Sequence, residues 1–304
     1  MKLNTTAVTG VIAISIAATL WGFDGIVLTP RLYNLNITYV VFMVHCIPFI
    51  LLNLFCFRSY KELKTFKKQD FIYFFLVALF GGALGTLAIV KALFLVNFQS
   101  LTVVVLLQKL QPVFAIILAA ILLKERLHKG FVLWASIAIL ASYFLAFGMH
   151  LPDFNAGSNT TLAALFSLMA AFSFGSATVF GKKILNKVDF ISATFFRYGF
   201  TSLIMLIIVL ICGTMSQLVH TTPHNWMILF IIAFTTGSGA LFLFYFGLRK
   251  VKAMIATICE LLFPVSAILF DYLFNGKVLT PIQWISAIVL MLAIIKLSIR
   301  PSVD

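Results

Sequence analysis

Pro112-Val113-Phe114-Ala115-Ile116 and Pro264-Val265-Ser266-Ala267-Ile268 share four of five residues, and each lies inside a long apolar run. Ser136-Ile137-Ala138-Ile139-Leu140 follows the first and Ser286-Ala287-Ile288-Val289-Leu290 the second. Further upstream, Ala17-Ala18 and Trp21-Gly22 answer to Ala170-Ala171 and Phe174-Gly175. The offset stays at 150–153 residues throughout. One such match between apolar helices arises by chance, but three collinear ones indicate an internal duplication, with halves at 1–150 and 151–304.

The chain around these elements has 304 residues, 62% of them hydrophobic and only 10% charged, with 33 Phe. A soluble domain carries roughly 45–50% apolar and about 25% charged residues. Too little polar side chain is present to cover a surface that faces water, which excludes a soluble enzyme, a disordered chain and a secreted disulfide scaffold. The composition fits a membrane protein whose surface faces lipid. A spanning helix needs roughly 20 mostly apolar residues. Turns and charges divide the chain into ten such spans, at 8–29, 37–57, 71–95, 100–123, 130–148, 161–181, 190–212, 226–247, 253–274 and 281–298. The short alternating segments of a membrane barrel are missing, so the expected class is an all-α integral membrane bundle. The first apolar stretch lacks a small-residue cleavage site and reads as an uncleaved helix. Cys46, Cys56, Cys212 and Cys259 fall within apolar runs and read as small buried hydrophobes, not as a metal site or disulfides.

The cations give the chain a direction. With the N-terminus inside, 17 Lys and Arg fall in inner loops and only Arg31 and Lys277 in outer ones. Such asymmetry marks the cytoplasmic side. It predicts both termini in the cytoplasm and a multi-pass protein of the cell (inner) membrane. It also accounts for the net charge of +13 without a nucleic-acid partner. Five helices per half is an odd number, so the second half enters from the opposite face. Inverted repeats of this kind give a transporter two related conformations around a site near the midplane.

Ten helices in two inverted halves, with a Pro-Val-x-Ala element in spans four and nine, resemble the drug/metabolite transporter superfamily. Leu122-Leu123-Lys124-Glu125-Arg126-Leu127 is similar to the Gly-Glu-Arg-Leu signature that closes each half of an EamA-type permease. The chain departs from that pattern in three places. Lys124 stands where Gly is usual. Asn275-Gly276-Lys277-Val278-Leu279 has Lys at the acid position. The Arg197-Tyr198 pair of span seven answers to Val44-His45 in span two. The resemblance implies a central cavity lined by spans 1, 3, 4, 6, 8 and 9.

A charged side chain at mid-helix costs about 2.5–3.5 kcal/mol on insertion scales, so each one needs a reason. Arg197 and Glu260 match in depth, which predicts an ion pair, either structural or acting as a gate. Asp24, Lys91 and Asp271 lie near the outer ends of their spans. Lys91 either snorkels or pairs with Asp24, Asp271 is interfacial, and Asp24 caps a kinked helix end or faces the cavity mouth. Lys109 is too deep to snorkel. Gln108 and Gln111 flank it, and Pro112 weakens the helix ladder beside it. It pairs with Asp24, Glu260 or carbonyls, or binds an anionic group of a substrate, or carries a coupling proton. Glu260 precedes its proline by four residues, as Gln108 does. Lys109, Gln108, Gln111, Glu260, Asp24, Trp21 and Tyr245 are therefore the candidate substrate-binding residues. Arg197, Lys91, Asp271 and His45 are candidates for gating or ion pairing. Gly81 and Gly85 form a G-x-x-x-G suited to close helix packing.

HExxH, Walker A, G-x-S-x-G and GxGxxG motifs are missing. His220 and His224 stand in an outer loop around Pro223 and read as solvated sequence, so neither a metal nor a cofactor is expected. The chain is expected to be a permease, not an enzyme. It would move a small polar metabolite with an anionic or zwitterionic group, driven by a substrate, proton or sodium gradient. The alternative is a membrane-embedded lipid-handling enzyme or flippase that uses the same charges.

Overall fold

A computed structural model describes residues 5–95, 107–126, 129–149, 160–276, 278 and 280–299. Residues 100–106 of the expected fourth span, the boundary at 150–151, and Lys2, Leu127, Lys277, Leu279 and Arg300 lie outside the described residues. The described residues form helices and turns, with no strand among them.

Seven helical stretches are long and apolar enough to cross a membrane: α1 (Thr5–Leu32), α2 (Ile37–Thr65), α3 (Lys68–Ala92), α6 (Thr161–Leu185), α7 (Phe190–Ile211), α8 (Pro223–Lys250) and α9 (Ala253–Phe274). Three shorter apolar helices also lie among the described residues: α4 (Gln111–Leu122), α5 (Lys129–Leu145) and α10 (Pro281–Leu297). Sequence capping signals set several starts. Asn36 accepts from the Thr38 amide at 2.9 Å and Asp189 from the Ile191 amide at 2.6 Å. Thr222 and Asn225 form a capping box with Pro223 in the first turn of α8.

Apolar side chains cover the outside, as lipid demands. Leu54, Ile121, Leu165 and Ile211 are all exposed. Small residues fill the inside, and Ala17, Ala18, Ala170 and Ala171 are fully buried. Helix α1 packs on α8 and α9, and α6 packs on α3 and α4. Helix α2 lies against α7 and α8, α3 against α7, α4 against α9, and α5 against α10. Two glycines allow close approaches between helices. A Cβ on Gly22 would lie 2.9 Å from the Ala267 amide nitrogen, and one on Gly175 would lie 2.9 Å from the Gln111 carbonyl oxygen. Gly22 thus meets the second Pro-Val-x-Ala element, Gly175 meets the first through the Ala115 amide nitrogen at 3.0 Å, and a side chain at either glycine would push the helices apart.

Several helices are broken along their length. Wide π turns occupy Asp24–Leu28 in α1, Ala78–Leu84 in α3 and Ala233–Gly237 in α8. Turns interrupt the chain at Lys109-Leu110, just before α4, and at Glu260-Leu261 within α9. Pro112 and Pro264 follow these turns, and a proline has no N–H to continue a helix ladder.

Side chains tie the helix ends together. Glu125 accepts from the Ala253 and Met254 amides at 2.8 and 3.0 Å, so the acid of the Glu-Arg pair caps the start of α9. The residue before it, Lys124, has φ +56°, which explains why glycine suits that position. Lys182 donates to the Leu248 and Arg249 carbonyls and Lys183 to the Leu122 carbonyl, each at the end of a helix. Of the four unbridged cysteines, Cys259 is buried, but Cys212 ends α7 in the open, which corrects the reading of all four as buried.

Candidate functional site

The two interruptions put two charged residues of the bundle, Lys109 and Glu260, at turns of neighbouring segments. Glu260 faces α4 and α6. Its Oε2 accepts from Gln111 Nε2 at 2.8 Å, and its Oε1 accepts from the Thr178 hydroxyl at 3.1 Å. Thr178 gave no signal in the sequence, because a threonine in an apolar helix ordinarily bonds its own backbone, and this one also bonds the Phe174 carbonyl.

Lys109 is 7% exposed. Its ammonium lies 5.3 Å from the centre of the Phe263 ring, on the first turn after the α9 break. It forms no ion pair with Asp24 or Glu260, which corrects that expectation. The carboxylate of Glu260 is taken by Gln111 and Thr178, and Lys109 rests on an aromatic face instead. The helix breaks also differ from the residue pairing expected between the two halves. Counting back from the prolines matches Glu260 with Gln108, whereas the turns match it with Lys109.

Arg197 and Glu260 do not form the expected ion pair. The Arg197 guanidinium lies 5.5 Å from the Tyr245 ring centre and donates to Tyr245 Oη at 3.3 Å, while its Nε is buried without a hydrogen-bond partner. The reason is local space. Gly81 in the α3 π turn makes the slot, and a Cβ there would lie 2.8 Å from Arg197 Nη2. Gly81 would also meet Ala177 at 2.7 Å, so the G-x-x-x-G packs α3 on α6 as well. Beside Arg197, the His45 ring lies 5.8 Å from the Tyr198 ring, and its Nδ1 is 2.8 Å from the Val41 carbonyl.

Trp21 meets Phe244 at 5.4 Å between ring centres, which brings α1 and α8 into an aromatic wall beside buried Tyr245. Asp24 opens the π turn of α1 and accepts from the Thr29 hydroxyl at 3.2 Å. Lys91 is exposed on α3 and does not pair with Asp24, which fits a snorkelling lysine. Gln108 and Asp271 are half-buried. Among the described residues, His, Cys, Asp and Glu form no group of three that could hold a metal ion.

The sequence profile of the EamA-like transporter family matches the chain twice, over residues 8–147 and 161–299. The chain belongs to the EamA-like transporter family. As an EamA-like transporter it is a multi-pass membrane transporter and not an enzyme. It is 54% identical to the riboflavin transporter ImpX of Fusobacterium nucleatum subsp. nucleatum, over 95% of this chain and 97% of that one. A protein of known crystal structure has the same fold, with a TM-score of 0.68, 14% identity and 97% of each chain covered.

Proposed function

We propose that this protein is a secondary transporter that carries riboflavin or a close flavin analogue across the membrane by alternating access. The observation that carries the reading is the 54% identity to a riboflavin transporter over nearly the whole of both chains. Riboflavin is a flat aromatic ring with an imide edge and a hydroxylated side chain, and it bears no net charge at neutral pH. It calls for aromatic walls and a few placed donors and acceptors, not a counter-ion. The buried groups suit those needs. Trp21, Tyr245 and their neighbours offer ring faces. Glu260 accepts, and Lys109, Gln108 and Gln111 donate, at helix breaks of the kind that form transporter sites. Asp24 stands at the outer mouth. Arg197 and His45 sit behind the aromatic wall, with Lys91 and Asp271 toward the outer rim. On this reading the deep charges serve as hydrogen-bonding groups or carry a coupling proton, and the substrate needs no anionic group.

The proposed architecture is ten crossings in two inverted halves, 1–150 and 151–304. The twofold match to the family profile supports it. So does the packing. Exchanging each helix for the one five places on turns α1 on α8 and α9 into α6 on α3 and α4, and returns α2–α7, α4–α9 and α5–α10 to themselves. The paired contacts of Gly22 and Gly175 follow the same exchange. The cation distribution supports termini in the cytoplasm and a place in the cell membrane. A proton, sodium or substrate gradient supplies the driving force.

Uptake of riboflavin into proteoliposomes tests the reading. Saturable uptake is expected, with Lys109→Ala and Glu260→Gln each reducing it at least tenfold while the variants stay folded. Folded wild-type protein that neither takes up riboflavin nor is thermally stabilised by it would overturn the proposal.

A further inference from the structure

The last nine residues of α2, Phe57–Thr65, form the connector to α3 and are wound as a 3-10 helix, whereas 3-10 runs longer than about 3–4 residues are uncommon. With three residues per turn, side chains three apart lie one above another, so the segment has three distinct faces. Tyr60, Leu63 and the following Phe66 form the first. Tyr60 packs on Phe195 at 5.1 Å, Phe66 packs on Phe74 and Phe196 at 5.3 Å each, and Leu63 joins the same core. Ser59 and Glu62 form the second. Ser192 at the start of α7 donates to Glu62 at 2.6 Å, and the Ser59 and Ser192 hydroxyls are 2.9 Å apart. Arg58, Lys61 and Lys64 form the third, and all three are exposed. Successive cations on this ridge are separated by about 6 Å along the axis.

Two faces are therefore spent on holding the segment, and the third presents only positive charge. Lys67 and Lys68 extend it and are also exposed. The nearby acids are engaged elsewhere: Glu62 is turned to Ser192, Asp189 caps α7 at the Ile191 amide, and buried Asp70 is ion-paired with Lys187 and accepts from the Lys67 amide. In the proposed topology the connector from α7 to α8, residues 212–222, lies on the opposite face and contains no Lys or Arg, so the ridge belongs to one side of the bundle. Exposed apolar side chains flank the ridge. Leu54, Phe55 and Phe57 are 69%, 77% and 57% exposed on one side of it, and Phe71, Ile72 and Phe75 are exposed on the other.

We propose that Arg58, Lys61 and Lys64, extended by Lys67 and Lys68, form a binding ridge for the headgroups of anionic phospholipids. The partner is a lipid and not a soluble anion, because exposed apolar side chains flank the cations and place acyl chains beside them. Holding the connector to one leaflet would steady α2 and α3 at the end where α7 docks. The proposal does not depend on the identity of the transported substrate.

The test uses the full-length protein in a neutral detergent, titrated with phosphatidylglycerol or phosphatidylcholine and followed by thermal unfolding and by native mass spectrometry of retained lipid. Phosphatidylglycerol is expected to bind selectively. Cations near an anionic surface contribute about fivefold each, so Arg58→Gln with Lys61→Gln and Lys64→Gln together should weaken binding about a hundredfold. A control set of equal charge, Lys124→Gln with Arg126→Gln and Lys129→Gln, should leave most of the binding intact. Unchanged unfolding without lipid shows that each variant is folded, and single substitutions replace any set that is not. Equal losses in the two sets, no preference for phosphatidylglycerol, or the same stabilisation by inorganic phosphate would each overturn the proposal.

Discussion

Replacing Glu125 by Gln should destabilise the protein, although the two side chains have nearly the same shape. Glu125 Oε1 accepts from the Ala253 amide at 2.8 Å and Oε2 from the Met254 amide at 3.0 Å. These are first-turn amides of α9, which have no partner inside the helix. In Glu125→Gln one oxygen becomes an NH2 group that faces an amide N–H, so one hydrogen bond is lost and the other loses its charge. A hydrogen bond to a charged group contributes about 1.5–3 kcal/mol. A negative charge at a helix N-terminus adds about 0.3–1 kcal/mol. Glu125 is half-buried, which reduces both figures, and a loss of about 2 kcal/mol is expected. Thermal unfolding in detergent should show a midpoint lowered by several degrees, with Glu125→Ala lowered by as much or slightly more. A Gln variant as stable as the wild type, beside a clearly weaker Ala variant, would refute the clamp and leave only packing of the side-chain stem.

Other substitutions probe separate features. Lys124→Gly should raise the unfolding midpoint. Removing a left-handed non-glycine residue gains about 1–2 kcal/mol, and the added freedom of the unfolded chain offsets about 0.4–1 kcal/mol of that; an unchanged or lower midpoint would count against strain at φ +56°. Gly175→Ala should cost about 1–3 kcal/mol, because its Cβ would meet the α4 backbone at 2.9 Å. Gly25→Ala, whose Cβ would meet only Phe263 at 3.9 Å, should be far milder, and similar folded yields for the two would refute the close approach. A double-mutant cycle on Asp70 and Lys187 should give a coupling of at most about 1 kcal/mol at low salt, since the lysine is 47% exposed. A coupling that persists undiminished at high salt would contradict a screened pair near the surface.

Much of the fold was legible because lipid is a strict solvent. Every backbone polar group must be satisfied within the segment, so long apolar runs become helices, and their ends follow from turns and caps such as Asn36, Asp189 and Thr222-Pro223. The buried alanines were legible in kind as well, since Ala17-Ala18 and Ala170-Ala171 recur beside the glycines that meet the Pro-Val-x-Ala elements. Charges inside apolar runs were visible for the same reason, as each is costly and therefore conspicuous.

Tertiary structure decided the partners. Depth along a helix is readable from residue number, but rotation about its axis and the identity of its neighbour are not. Arg197 and Glu260 match in depth yet do not form an ion pair, because Gly81 opens a slot for the guanidinium and Tyr245 occupies its reach. Glu260 is held by Gln111 and Thr178, and Lys109 by Phe263, contacts that join segments 82–154 residues apart. The cation ridge escaped the sequence for a different reason. Its period is three, and only a connector wound as a 3-10 helix brings Arg58, Lys61 and Lys64 onto one face. Composition and spacing thus determined that the chain lies in a membrane as a bundle of helices, while the approach of one helix to another determined what each buried charge touches.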